Sequence, residues 1–432
     1  MSDLSDSAKL LVDGKTIDLN VYTGVEGDRS IDVTSLYKDH GLTTYDPSLG
    51  NTVICRSSIT YIDGERGLLR YRGIPIEQFD RPKPNFIEVA WALIFGRLPS
   101  EKELSQFREV LTESELLHEG LSNHFMSLPA DAQPMAILSA MISMMACYRK
   151  DFLVLEDEKS LMGAAARLIS KIRTIAAFTH RRVRGLPLIY PDPNLRYCAN
   201  FLHMMFSLPY KQFEVSEEME DALNLVFILH ADHEQNCSAS AVRVVCSARA
   251  NLFASCSAGV NALWGPLHGG ANVKVMEMLE TIHQGGYRAE DCIAAAQDKN
   301  DSFRLYGFGH RVYRNYDPRA KILKAACERL FKTLKRSDPL LDIARKLEEL
   351  ALKDPYFIDR NLYPNVDFYS GILLRAMGIP TDMFTVMFAI GRMPGWIAQW
   401  KEQHFAEDAK IIRPRQLYVG NPQTNYVEIE KR

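Results

Sequence analysis

Two segments of this chain gather residue types that can move protons and hold anions. In Gly307–Ala320, GFGHRVYRNYDPRA, a histidine follows two glycines and an arginine follows a proline; in Pro364–Gly371, PNVDFYSG, an aspartate sits among apolar and aromatic neighbours. Together they supply the parts of an acid/base site for an anionic substrate. Gly307 and Gly309 weaken a helix and let backbone come close to a ligand, while Asp317-Pro318 and Tyr363-Pro364 force turns.

Asp367 is the first candidate. A carboxylic acid of this type ionises near pH 3.9 in water, and partial desolvation by Phe368 and Tyr369 raises it toward a working general base. From this residue alone the plainer reading comes first: an N-cap opening the helix FYSGILLRAM. His268, in GPLHGG, lies between a helix ending near Trp264 and another starting near Val273. A turn histidine is more often solvated or structurally bonded, yet the flanking glycines permit close approach and movement that a structural residue does not need. His310 reads either as a surface histidine in a basic turn or as a positioned acid/base group.

Three arginines fall in constrained settings: Arg319 after Asp317-Pro318, Arg392 in GRMPG, and Arg413 in RPR. Arginine binds carboxylates as a bidentate, permanently charged partner better than lysine does. His230 and His233 stand at i, i+3 with Asp232 and Glu234 nearby, which invites a metal reading. The spacing is not HExxH, so a satisfied histidine at a helix end is the stronger reading and no metal is expected. Arg311, Arg314 and Lys321 form a basic turn that could meet phosphates, although such turns are more often solvated.

These residues need a scaffold, and 432 residues suffice for one large helical domain with a smaller companion. Lys9–Gly24 alternates apolar and polar residues around Asp13-Gly14, a hairpin dipeptide, so residues 1–61 read as a small β module. After Pro84 the pattern changes to apolar or amphipathic helices such as EVAWALIFG, AILSAMISMMACY and LMGAAARLISKIRTIAAF. Ser100 caps one start, and GLPLIYPDP is a loop. The fold class is mainly α: a large multi-helix domain over 62–272 and 384–432, and a smaller helical domain over 273–383 that carries both signature turns.

The 51 basic and 54 acidic residues give a formal charge of -3 without long runs of either sign, so nothing points to nucleic acid or an anionic membrane. The amino terminus lacks the layout of a secretory or organellar leader, and no apolar run approaches the roughly 20 residues that span a bilayer. A cytoplasmic protein is expected. The eight cysteines are scattered without CxxC pairs and read as reduced, structural residues.

The two opening segments resemble the signature regions of citrate synthase, and LWGPLHGGAN (Leu263–Asn272), LHADHEQN (Leu229–Asn236) and RPRQLY (Arg413–Tyr418) match in the same order and spacing. The likeness extends over nearly the whole chain, including an amino-terminal segment similar to that of the bacterial, oligomeric type II branch. It implies condensation of acetyl-CoA with oxaloacetate and hydrolysis of citryl-CoA, without a metal or redox cofactor. Asp367 would remove the methyl proton, His268 would stabilise the enol or enolate as a neutral donor, and His310 would polarise the ketone. His233, Arg319, Arg392 and Arg413 would bind oxaloacetate, Arg413 reaching across from a second subunit, so that a dimer is required and a hexamer of three dimers is implied. Arg311 and Arg314 would meet the coenzyme A phosphates. Some type II members are inhibited by NADH at a remote site matched here by Tyr148, Arg167 and Lys171. Gln133-Pro134-Met135 and Leu208-Pro209-Tyr210 depart from that pattern, so strong inhibition is not expected. The rival readings are a 2-methylcitrate synthase using propionyl-CoA, a non-catalytic ligand sensor on the same fold and, more remotely, a metal hydrolase built on His230 and His233.

Overall fold

The computed structural model describes residues 6–148, 150, 153–335 and 337–432; Met1–Ser5, the start of the expected leaderless amino terminus, lie outside the described residues. The chain divides into two compact units, one up to Ser57 and the other Ser58–Arg432.

In the first unit, β1 (Asp6–Val12), β2 (Lys15–Thr23) and β3 (Arg29–Ile31) form an antiparallel meander. Asp13 and Gly14 both take left-handed backbone, φ 50 and 75, which is what a two-residue hairpin turn requires, and Val12 pairs with Lys15. The period of two puts Ile17 and Leu19 on one face, where they meet Leu36 of α1 (Leu36–His40).

The second unit opens with a small antiparallel sheet: β4 (Thr60–Asp63), β5 (Leu68–Tyr71) and β6 (Ile74–Pro75). Helices follow. The first group is α2 (Phe86–Phe95), α3 (Glu101–Glu113), α4 (Glu119–Asn123), α5 (Pro134–Tyr148), α6 (Glu158–Val183), α7 (Tyr197–Phe206) and α8 (Glu217–His230). Then come α9 (Cys237–Ser247), α10 (Leu252–Trp264), α11 (Ala271–Gly285), α12 (Ala289–Gln297) and α13 (Pro318–Leu334). The last are α14 (Pro339–Ala351), α15 (Pro355–Ile358), α16 (Val366–Ala376) and α17 (Phe384–Phe405). The mainly helical class is as expected, and Ser100 does cap α3, its side chain accepting from the Glu103 N–H in a capping box.

Helix α17 is the central rod of this unit and is buried from Val386 to Trp400. Its Trp396 and Trp400 lie fully inside, each worth roughly 3–5 kcal/mol against truncation to alanine. Close approach to the end of α8 depends on Gly395, where a Cβ would come 2.1 Å from the Ala231 carbonyl oxygen. That contact brings Arg392, one turn earlier on α17, against the chain leaving α8. Among the described residues no helix is long and apolar enough to cross a membrane. Cys198, Cys246, Cys256, Cys292 and Cys327 are buried, whereas Cys147 and Cys237 are exposed.

Candidate active site

The two signature segments, far apart in sequence, are stitched together by backbone. The Gly309 N–H donates to the Tyr363 carbonyl at 2.8 Å and the Asn365 N–H to the Gly307 carbonyl at 2.9 Å, so Phe308 and Pro364 form an antiparallel bridge. Gly307 has φ 83, and a Cβ there would lie 2.8 Å from the Phe368 ring and 2.9 Å from Val275. Only glycine satisfies both the conformation and the space.

Asp317 fastens the same region from another side. Its Oδ1 accepts from the Arg319 backbone N–H and Nε, each at 3.0 Å, and Oδ2 accepts from Arg319 Nη2 at 2.8 Å and from the Val366 N–H at 3.1 Å. One buried carboxylate therefore caps α13, orients Arg319 and holds the first turn of α16. The Asp-Pro-Arg sequence carries the mark of a helix start, a capping acid before proline, and that signal was available for finding Asp317.

Asn365, not Asp367, is the N-cap of α16: its Oδ1 accepts from the Asp367 N–H at 3.0 Å while its Nδ2 donates to the Gly309 carbonyl at 2.9 Å. The helix begins at Val366, earlier than the FYSGILLRAM reading, and the Asp367 carboxyl is left free of capping. Its Oδ1 is shielded from solvent and has no hydrogen-bond partner among the described residues. Burial pushes its pKa up to about 6, against the pull of Arg319 and Arg392 and with a push from Asp317. The result is a carboxylate poised to accept a proton near neutral pH.

His268 is held by the start of α9. The Ser238 N–H donates to His268 Nε2 at 3.2 Å, and the Ser238 hydroxyl lies 3.0 Å from the same nitrogen. That hydroxyl donates to Asn236 Oδ1 at 2.7 Å and accepts from Trp396 Nε1 at 3.1 Å. Nε2 is thus the acceptor, and the ring proton belongs on Nδ1. Burial, with Arg392 nearby, lowers the pKa of His268 to about 4, so the ring is neutral and offers Nδ1–H.

His310 takes the opposite tautomer. Its Nδ1 accepts from the Val312 and Tyr313 N–H groups at 3.0 and 3.2 Å, which leaves the proton on Nε2. Burial, then Arg319, lowers its pKa to about 4. The His310 ring centroid lies 5.4 Å from that of His233 and 4.8 Å from that of Tyr313. His233 Nε2 is 3.2 Å from the Tyr313 hydroxyl, and burial with Arg319 and His310 beside it drives its pKa well below the usual range. Both rings are neutral donors or acceptors, not cations.

Positive charge comes from arginine. Arg319 is buried against Asp317, with its guanidinium 5.9 Å from the Tyr313 ring centroid. Arg392 donates through Nε to the His230 carbonyl, but its buried Nη1 has no partner among the described residues. A buried, unpaired guanidinium N–H costs free energy unless an anion meets it. His233, His310, Arg319 and Arg392 thus form one electropositive cradle suited to a small carboxylate.

The remaining candidates fall elsewhere. His230 donates from Nδ1 to the Val226 carbonyl at 2.7 Å and lies against Phe388, ring centroids 3.9 Å apart, so its Nδ1 is committed to its own helix. Arg311, Arg314 and Lys321 are exposed. The Arg314 N–H donates to the Gly64 carbonyl at 2.8 Å, seating this basic turn on the β4–β5 hairpin, a contact without a sequence signal. Arg413 is exposed on an extended tail that follows α17.

Tyr148 ends α5 and stacks on His118 with ring centroids 4.6 Å apart. Arg167 and Lys171 lie on α6, half-buried. Lys171 donates to the carbonyls of Ser114, at 2.8 Å, and Leu116, just beyond the end of α3, where a cation complements the helix dipole. Met135 is buried in α5 and Tyr210 is exposed. Sequence reasoning missed Ser238, Tyr313, Asp317, Asn365 and Trp396.

Comparison with known proteins gives a consistent answer. The family model described as "Citrate synthase, C-terminal domain" matches residues 48–415. The chain is 47% identical over 432 residues, covering 100% of both sequences, to Citrate synthase 1 of Mycobacterium tuberculosis. The crystal structure of citrate synthase from Pyrobaculum aerophilum superposes with a TM-score of 0.81 at 35% identity, over 95% of this chain and 97% of that one. A citrate synthase from the archaeon Thermoplasma acidophilum, in ternary complex with carboxymethyl coenzyme A and oxaloacetate, gives 0.80 at 31% identity, over 90% and 100%.

Proposed function

The chain belongs to the citrate synthase family, and we propose how its residues divide the work of condensing acetyl-CoA with oxaloacetate and hydrolysing citryl-CoA to citrate and CoA. Oxaloacetate binds to His233, His310, Arg319 and Arg392, its carboxylates meeting the unpaired Arg392 Nη1. Asp367 removes a methyl proton from acetyl-CoA. The Nδ1–H of His268 meets the charge that develops on the thioester oxygen, as a preorganised donor must. The Nε2–H of His310 polarises the ketone, and the enol carbon attacks it to give citryl-CoA. The reading needs no metal or redox cofactor, because the thioester itself supplies the activation.

One observation carries this reading. Two neutral histidines are fixed in opposite tautomers by backbone N–H donors, beside a carboxylate raised to about 6 and two buried arginines. A group of cationic histidines would protonate substrate oxygens indiscriminately; neutral ones stabilise charge only where it forms.

The smaller helical region, 273–383, closes over acetyl-CoA once oxaloacetate is bound, with 62–272 and 384–432 as the base. Arg413 completes the site of a second copy. Its exposure on a tail that also exposes Leu417, Tyr418 and Val419 supports that role, and the resemblance to the type II branch supports a hexamer of three dimers. Arg311 and Arg314 serve the phosphates of coenzyme A. The engagement of Lys171 with Ser114 and Leu116, and of Tyr148 with His118, supports weak or absent control by NADH. The balanced charge and absence of any CxxC pair are in keeping with a cytoplasmic location.

The direct test follows CoA thiol release with oxaloacetate plus acetyl-CoA or propionyl-CoA, omitting each substrate in turn. Oxaloacetate-dependent release, faster with acetyl-CoA, is the expected result. Preference for propionyl-CoA would assign the acyl pocket to 2-methylcitrate synthesis, and no release with either would leave a ligand sensor.

A further inference from the structure

Helix α14 carries none of the residues assigned above, yet it buries a carboxylate among the elements that do. Glu348 is 2% exposed. One of its oxygens accepts from the Tyr316 hydroxyl; the other accepts from the Tyr369 hydroxyl and, at 2.6 Å, from the Lys324 ammonium. Each donor sits on a working segment. Tyr316 immediately precedes Asp317 in the loop that carries His310. Lys324 lies on α13, just over a turn beyond Arg319. Tyr369 lies on α16, two residues beyond Asp367.

We propose that Glu348 is a positioning residue for the condensation, fixing the oxaloacetate-side loop through Tyr316 and the rotation of the helix that carries the base through Tyr369. The argument is geometric. Two residues along a helix turn through about 200°, so Asp367 and Tyr369 point to nearly opposite sides of α16. Anchoring Tyr369 to α14 therefore sets where Asp367 points. A rotation of about 10° would move a carboxylate some distance from the helix axis by about 1 Å. A misplacement of that size can cost about 100-fold in rate.

A buried carboxylate with one donor would be a liability; this one has three, which satisfies it and makes the three segments interdependent. Burial, and then the carboxylate itself, keeps both phenols protonated well above their ordinary range, so they remain donors. Asp317 ties the same two segments at their helix starts through Arg319 and the Val366 N–H. With Asp317 at one end and Glu348 at the other, loop and helix are held at two points, which fixes angle as well as distance.

The inference rests on the assignment of Asp367 as base, and the test separates the two. Tyr369→Phe, Tyr316→Phe, Glu348→Gln and, as control, Asp367→Ala are each assayed at saturating acetyl-CoA with oxaloacetate varied, with circular dichroism to establish folding. Tyr369→Phe should lower kcat about 10- to 100-fold with KM for oxaloacetate within about twofold. Tyr316→Phe should show the converse, a several-fold rise in KM for oxaloacetate with kcat little changed. Glu348→Gln should combine both losses. Should Glu348→Gln not fold, the two tyrosine variants, which keep their rings, carry the test. Parental kcat and KM in folded Tyr369→Phe and Tyr316→Phe, with only thermal stability reduced, would overturn the proposal. Retained turnover in Asp367→Ala would instead overturn the base assignment.

Discussion

Replacing Asp367 by asparagine should have two opposite effects. Activity should fall by the worth of a general base, typically 10²–10⁴-fold. Stability at neutral pH should rise. The carboxyl ionises near 3.8 when unfolded and near 6 when folded, a gap of about 2 units and so about 3 kcal/mol at 1.36 kcal/mol per unit. Below pH 3.8 both states hold the proton and the native state is not penalised. Between 3.8 and 6 the unfolded chain releases its proton first and is favoured, so native stability falls as pH rises. Above 6 the full loss of about 3 kcal/mol is present. Asparagine never ionises, and the buried Oδ1 has no hydrogen bond to lose. The variant should therefore be more stable than its parent at pH 7.5 by up to about 3 kcal/mol, a rise in Tm of roughly 3 °C for a chain of this length. The gain should vanish toward pH 4. Thermal unfolding of both proteins at pH 4.5, 6 and 7.5 without substrate, with thiol release measured on the same samples, tests the pair of effects. Equal stability at pH 7.5, or a gain that does not depend on pH, would refute the account of Asp367 as a desolvated base.

Three further outcomes are expected. His268→Ala should lower kcat about 10²–10³-fold, the usual cost of one oxyanion donor, and should leave the acid limb of the parental kcat/KM profile, near pH 6, in place, since kcat/KM reports the ligand-free protein and that limb is assigned to the proposed base, Asp367. Gly307→Ala should destabilise the protein by at least about 1 kcal/mol in urea unfolding, since φ 83 disfavours a side chain and the new Cβ would press on Phe368 and Val275; kcat should fall with it. Finally, Arg413→Ala and Asp367→Ala chains, each inactive, should recover up to about a quarter of parental activity when unfolded and refolded together, because half of random dimers are mixed and each mixed dimer holds one intact site. No recovery would place Arg413 outside the partner's site.

Much of the site was legible because the chemistry demands rare residues in costly surroundings. His310 follows a glycine at positive φ, Arg319 follows proline, and His268 lies among glycines; each departs from helix-favouring sequence. The helical body was legible from periodicity, and the Asp13-Gly14 hairpin from the left-handed backbone that pair tolerates. What stayed hidden acts through backbone or across long separations. Ser238 fixes the tautomer of His268 with an N–H that every residue but proline carries. Trp396 reads as core and also donates to Ser238. The capping of α16 was misread because Asn365 and Asp367 are both good caps two residues apart, and propensity does not choose between them. The seat of Lys171 at the end of α3 stayed hidden because that helix end is distant in sequence.

The backbone ladder between Gly307 and Asn365 has a kinetic meaning as well. It joins strands of chain with α13, α14 and α15 between them, so it closes a long loop, and such closures draw on entropy that only a nearly finished structure repays. Asp367 on one side of the ladder and His310 on the other are thus brought together late. During refolding, helical content should return before turnover does, and a chain caught partway would hold thioester and water without the geometry to let them react.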